Sequence, residues 1–164
     1  MTDTQDRAGS AASIRLSSDR DIVIERMFEA PREAVFDAWT DADRVARWWD
    51  PSGAPLAEAS IDLRPGGAFR FVHGPGGAAS HAFAGTYREI VRPALLVIAT
   101  PAPGGGETVG TLRFEALGER TRLIMTMSSA SAEARQQLLK YGIDQGTART
   151  LDRLAEVLSR VQSA

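Results

Sequence analysis

The chain has 164 residues, 43% of them hydrophobic and 24% charged, which is the size and balance of one globular domain with a real core. Nineteen basic against twenty-one acidic residues give a formal charge of −2, which supplies no field able to hold nucleic acid. Cysteine is absent, so disulfide frameworks, thiol nucleophiles and thiolate metal sites are excluded together.

Residues 1–18 are rich in Ser, Thr, Asp, Ala and Gly and are expected to form a loose tail, leaving 19–164 as the domain. They lack the basic start and apolar stretch of a secretion signal, and no apolar run reaches the length of a membrane span. A cytoplasmic location is the expectation.

From Asp21 to Glu29 the run Ile22, Val23, Ile24 followed by Met27 and Phe28 predicts a strand, ended by Ala30-Pro31. Val35, Ala38 and Trp39 then fall at i, i+3, i+4, as in a short amphipathic helix. A second short helix carries Val45, Trp48 and Trp49 before Pro51, with Thr40 and Asp43 spaced as a capping box. At helical spacing the tryptophans read first as core anchors. Trp49, beside Asp50-Pro51, is the best candidate among them to meet a ligand at a cavity rim.

The period then changes to two. Ala57, Ala59, Ile61 and Leu63 alternate with Glu58, Ser60, Asp62 and Arg64, and Pro65-Gly66 turns the chain into a second strand from Ala68 to His73. If Gly74 to Ser80 closes the next hairpin with His73 opposite His81, Phe71 faces Phe83 and Phe69 faces Gly85, with Tyr87 on the same side. The same register around Arg92-Pro93 sets Ile98 beside Tyr87 and Leu96 beside Glu89. A last hairpin turning at Gly118-Glu119 aligns Phe114 with Leu123, Leu112 with Met125 and Gly110 with Met127, and sets Glu115 opposite Arg122 on the outer side. The alternations predict an antiparallel sheet of about seven strands with one apolar face.

One long helix, roughly Ser131 to Val161, is expected to cover that face, with Ala134, Leu138, Tyr141, Gln145, Ala148, Leu151 or Asp152, Ala155 and Leu158 on its stripe. A hollow between helix and sheet is then expected, lined by Phe69, Phe71, Phe83 and Tyr87, with Trp49 at the rim. Arg26, Glu89, Tyr141 and Gln145 are the polar candidates. An Arg26–Glu89 ion pair is one reading of two of them, and an anchor for a ligand carboxylate or carbonyl is the other. His73 and His81 lack cysteine or adjacent carboxylate partners in sequence, so no metal site is expected, and an acid–base role is conceivable. No G-x-S-x-G elbow, P-loop, H-E-x-x-H or dinucleotide loop is present, and no cofactor is expected.

The segments ERMFEAPREAVFDAWTDADRVARWWDP (25–51), DLRPGGAFRF (62–71), GTYREIVRP (85–93), GTLRFEALGERTRL (110–123) and GIDQGTARTLDRLAEVL (142–158) occur in an informative order. Together they resemble the activator of Hsp90 ATPase C-terminal-domain-like family of the START-like (SRPBCC) superfamily. The resemblance implies an α+β helix-grip fold: a strand, two short helices, six more strands and a long C-terminal helix over an apolar cavity. Related sequences commonly read Gly-Trp where this chain has Gly146-Thr147, which implies a larger or differently lined hollow if that position faces inward. The leading functional expectation is a non-enzymatic domain for a small apolar or amphiphilic molecule. Alternatives are a cofactor-independent, polyketide cyclase-like enzyme and a chaperone-regulating interaction module whose contact, or homodimer interface, is the outer face around Leu95 and Val97.

Overall fold

The computed structural model describes residues 12–74 and 82–163. Among them, eight antiparallel strands form one sheet in the order β1-β2-β8-β7-β6-β5-β4-β3. These are β1 (Ser13–Ser17), β2 (Asp21–Phe28), β3 (Glu58–Ile61), β4 (Ala68–Val72), β5 (Ala82–Val91), β6 (Leu95–Pro101), β7 (Glu107–Leu117) and β8 (Arg120–Ser128). Four helices complete the fold: α1 (Arg32–Thr40), α2 (Ala42–Trp48), α3 (Ala132–Lys140) and α4 (Ile143–Ser163).

Among the described residues, the predicted pairings of the aromatic and C-terminal hairpins hold. Phe71 faces Phe83, Phe69 faces Gly85, and Phe114, Leu112 and Gly110 face Leu123, Met125 and Met127. Glu115 opposes Arg122, which bonds more closely to Glu25 at 3.0 Å than to Glu115 at 4.0 Å. Alternation fixes which side chains share a face, and burying that face fixes the register.

Three expectations are corrected. Residues 13–17, assigned to the tail, form edge strand β1, which sets Ile14 against Ile24 and Leu16 against Ile22. Two apolar residues among serines and arginines are a weak signal alone, and the waiting edge of β2 gives them a partner. Secondly, the register of β5 on β6 shifts by one residue between Tyr87 and Glu89, so Glu89 opposes Val97 while Ile90 opposes Leu96. A bulge flips the side-chain faces beyond it. Ile90 therefore packs against the core and Glu89 is exposed, against the inward placement expected of it.

Thirdly, the C-terminal helix is two helices. Ser131 caps α3 by accepting from the Ala134 amide, and α3 ends at Tyr141, where Gly142 adopts φ +76°. A left-handed glycine terminates a helix at little steric cost, and the N–H of Gly142 donates to Leu139 O as the chain leaves. The break resets the helical phase: Tyr141 is 70% exposed and Gln145 is exposed. From Ile143 to Thr150 no residue is buried, whereas Leu151, Leu154 and Leu158 are.

At the other end, α2 is capped by Asp41, whose Oδ1 accepts from the amides of Asp43 and Arg44, rather than by Thr40, whose hydroxyl donates to Phe36 O. Trp48 is fully buried and its Nε1 donates to Ala38 O at 2.9 Å, tying α2 to α1. Phe36 meets Phe114 edge-on at 5.3 Å, which seats α1 on β7.

Candidate functional site

Trp49 directly follows α2 as its C-terminal cap, and its ring lies 5.0 Å from both Phe71 and Phe83. Phe69 completes the group, 5.2 Å from Tyr87 and 5.6 Å from Phe83. The approach of Phe69 depends on Gly85 opposite it. A Cβ there would stand 2.9 Å from Phe69 Cζ and would collide with Ala99 O. Trp39, Leu96 and Ile98 close the remaining sides of a hollow of about 20 Å³.

That volume holds a single water at most. The expected open space between the C-terminal helix and the sheet is therefore reduced to a residual gap in this conformation. Its position also differs from the expectation, because all of its lining comes from α1, the end of α2 and strands β4–β6, and none from α4. Gly146 is half-buried, with only open space where a Cβ would stand. The first turns of α4 thus leave the aromatic end of the sheet to the tryptophans.

Of the sequence candidates, Trp49, Phe69, Phe71, Phe83 and Tyr87 are brought together, and Arg26, Glu89, Tyr141 and Gln145 are not. Arg26 is 4% exposed. Its guanidinium stands 3.2 Å from Asp152 on α4 and donates to Met27 O, so its acidic neighbour is Asp152 rather than Glu89. Burial pulls the Arg26 pKa down, opposed by the charge and hydrogen bond of Asp152.

Two of the residues that line the hollow carry a polar group. Trp39 is 7% exposed and its Nε1–H is buried without a hydrogen-bond partner, in contrast to the satisfied indole of Trp48. Tyr87 is 2% exposed, and no hydrogen bond joins its hydroxyl to another described residue. Burial pushes its phenol far above the ordinary value, so it stays neutral.

Asp50 follows Trp49, and its Oδ1 accepts from the amide and hydroxyl of Ser52 at 2.9 and 2.8 Å. Its Oδ2 lies 2.9 Å from His73 Nδ1. Burial alone would raise the Asp50 pKa, but the bonds from Ser52 and His73 outweigh it and hold the carboxyl below the usual carboxylate range. This partnership was invisible in the sequence, where the two residues stand 23 positions apart. Only the adjacency of Asp50 to Trp49 pointed to the same place. The predicted opposition of His73 and His81 falls outside the described residues. No group of three or more metal-ligating side chains occurs among the described residues, and no helix there is long and apolar enough to cross a membrane. Leu95 and Val97 are half-buried on the outer face.

The family model described as Activator of Hsp90 ATPase homolog 1-like protein matches residues 29–159. Solved structures share the fold. A protein from Rhodobacter sphaeroides is 22% identical, with a TM-score of 0.81 over 91% of this chain and 98% of that one. A protein from Rhizobium leguminosarum is 26% identical, with a TM-score of 0.65 over 92% and 97%. CalU16 from Micromonospora echinospora is 25% identical, with a TM-score of 0.61 over 93% and 87%. No curated protein matches the chain by sequence.

Proposed function

The chain belongs to the Activator of Hsp90 ATPase homolog 1-like family, and from that premise we propose that it binds a small planar aromatic molecule carrying a hydrogen-bond acceptor. The observation that carries this reading is the buried, unbonded Nε1–H of Trp39, a residue that lines the hollow. A buried donor without a partner costs about 1–3 kcal/mol, and an acceptor oxygen on a guest removes that cost. The rings supply broad apolar faces, and the Tyr87 hydroxyl adds a second polar contact to orient the guest.

Entry requires more room than the gap of about 20 Å³ supplies. Trp49 and Phe83 are the half-buried members of the ring group, while Trp39, Phe69, Phe71 and Tyr87 are buried. Displacing those two rings opens the hollow without dismantling the sheet. Binding is then coupled to their movement, and the measured affinity is lowered by the fraction of molecules open at any time.

Titration of the intrinsic tryptophan fluorescence with 2-acetylnaphthalene and 2-methylnaphthalene tests the reading. Both are expected to quench saturably, with the ketone binding about tenfold tighter through one hydrogen bond. Trp39→Phe is expected to erase that preference. Absence of saturable binding by either compound overturns the proposal, and equal affinity for the two overturns the acceptor requirement.

A further inference from the structure

His73 lies one residue past the end of β4, continuing the alternation that sends Phe69 and Phe71 to the inner face. It therefore stands two residues beyond Phe71, a ring that lines the hollow. Asp50 reaches the same point from the other side, directly after Trp49, whose ring lies 5.0 Å from Phe71. The two polar side chains are thus each within two residues of a ring that lines the hollow. They are partly solvent-accessible, at 23% for His73 and 16% for Asp50.

The hydrogen bonds determine what this pair can do. Both Ser52 donors converge on Asp50 Oδ1, which pins the carboxylate and satisfies the turn without help from His73. The bond from His73 to Oδ2 is additional. Because Asp50 Oδ2 is the acceptor, His73 Nδ1 is the donor, and in an uncharged ring the lone pair lies on Nε2. A carboxylate behind an imidazole fixes its tautomer and orientation.

We propose that Asp50 and His73 form a polar site beside the aromatic hollow that accepts a hydrogen bond from a hydroxyl group on the guest, as in a phenol or enol. This rests on the aromatic-guest reading above and narrows it. The guest is held by ring faces along its body and by Nε2 of His73 at a hydroxylated end. Asp50 is a positioning residue, acting on the guest through His73.

Three naphthalenes that differ only at position 2 separate the outcomes. The hydroxyl of 2-naphthol donates, the ether of 2-methoxynaphthalene only accepts, and 2-methylnaphthalene does neither. His73→Phe is expected to weaken 2-naphthol about tenfold while leaving the methoxy and methyl compounds within about twofold of wild type. Asp50→Asn is expected to give a smaller loss, again confined to 2-naphthol. His73→Leu serves as a second variant, and circular dichroism with thermal melting identifies which variants are folded. Loss of 2-naphthol and 2-methoxynaphthalene in equal measure, or no loss of 2-naphthol, overturns the site while the aromatic-guest reading stands. Failure of all three compounds to bind wild-type protein overturns that reading and this site together.

Discussion

Strands β2, β7 and β8 and strands β4, β5 and β6 place apolar side chains on the same face of one sheet, yet the two halves close in different ways. In the first, Ile22, Ile24, Leu112 and Leu123 are fully or almost fully buried, in one core with Leu151, Leu154 and Leu158 of α4. These branched aliphatic chains carry no polar atoms, and the unbonded Oγ1 of the buried Thr108 lies near the start of β7. In the second half the cover is aromatic. Large rigid rings meet at 5.0 to 6.3 Å, leave a residual gap, and bring along an indole N–H without a partner. Burial alone does not distinguish a finished core from a binding site. An unsatisfied donor on a lining residue together with half-buried rings around a gap does.

The contrast can be broken most forcefully in the aliphatic half. Leu154→Ala empties a site with no solvent exposure and is expected to cost about 2–5 kcal/mol in chemical denaturation. Phe83→Ala, in the aromatic half, is expected to cost only about 1–2 kcal/mol, because that ring already keeps contact with water. Equal losses would mean that both halves are ordinary core. The reverse order would mean that the aromatic end nucleates the packing.

At Asp50 the expected effect is smaller and depends on pH. Asp50→Asn is expected to cost about 1–2 kcal/mol at neutral pH, from weakened bonds to Ser52 and His73. The folded-state pKa of Asp50 lies below its unfolded value of about 3.9, so its contribution is present above that value and lost as pH falls through the folded one. The difference between wild type and Asp50→Asn should therefore shrink in melts taken below about pH 4. A constant difference would assign the effect to the shape of the turn instead of the charge.

The smallest effect is expected on the outer face. Arg122 reaches Glu25 at 3.0 Å, but its side chain is 47% exposed. Arg122→Ala should change stability by less than about 1 kcal/mol and do so less at high salt, when measured by urea titration in two buffers. A larger, salt-independent loss would make this face a structural element in its own right.

Much of the sheet was legible because a period of two is a local signal. Phe69, Phe71, Phe83 and Tyr87 were placed on one face from alternation and turn chemistry, and Trp49 was placed at the rim from the proline that follows it. The departures came from single-residue events. A bulge between Tyr87 and Glu89 leaves no mark in composition, yet it turned Glu89 outward. Gly142 was visible as a poor helix residue, but whether a glycine is tolerated within a helix or ends it depends on the packing around it. Once it ended α3, Tyr141 and Gln145 lost the phase that had pointed them inward. Arg26 was correctly singled out as an inward charge needing a partner, while its partner lies on a helix more than a hundred residues away.

By itself the sequence determined the class of fold, the pairing of its longest hairpins and the aromatic character of one end of the sheet. All of these follow from hydrophobic periodicity and the spacing of turns. Tertiary structure alone decided that α4 leaves the aromatic end uncovered, that the gap there is about 20 Å³, and that Asp50 stands behind His73. Periodicity reports which way a side chain points along its own element. What it meets depends on how separate elements settle against one another, where a shift of one residue or one helical turn changes every contact.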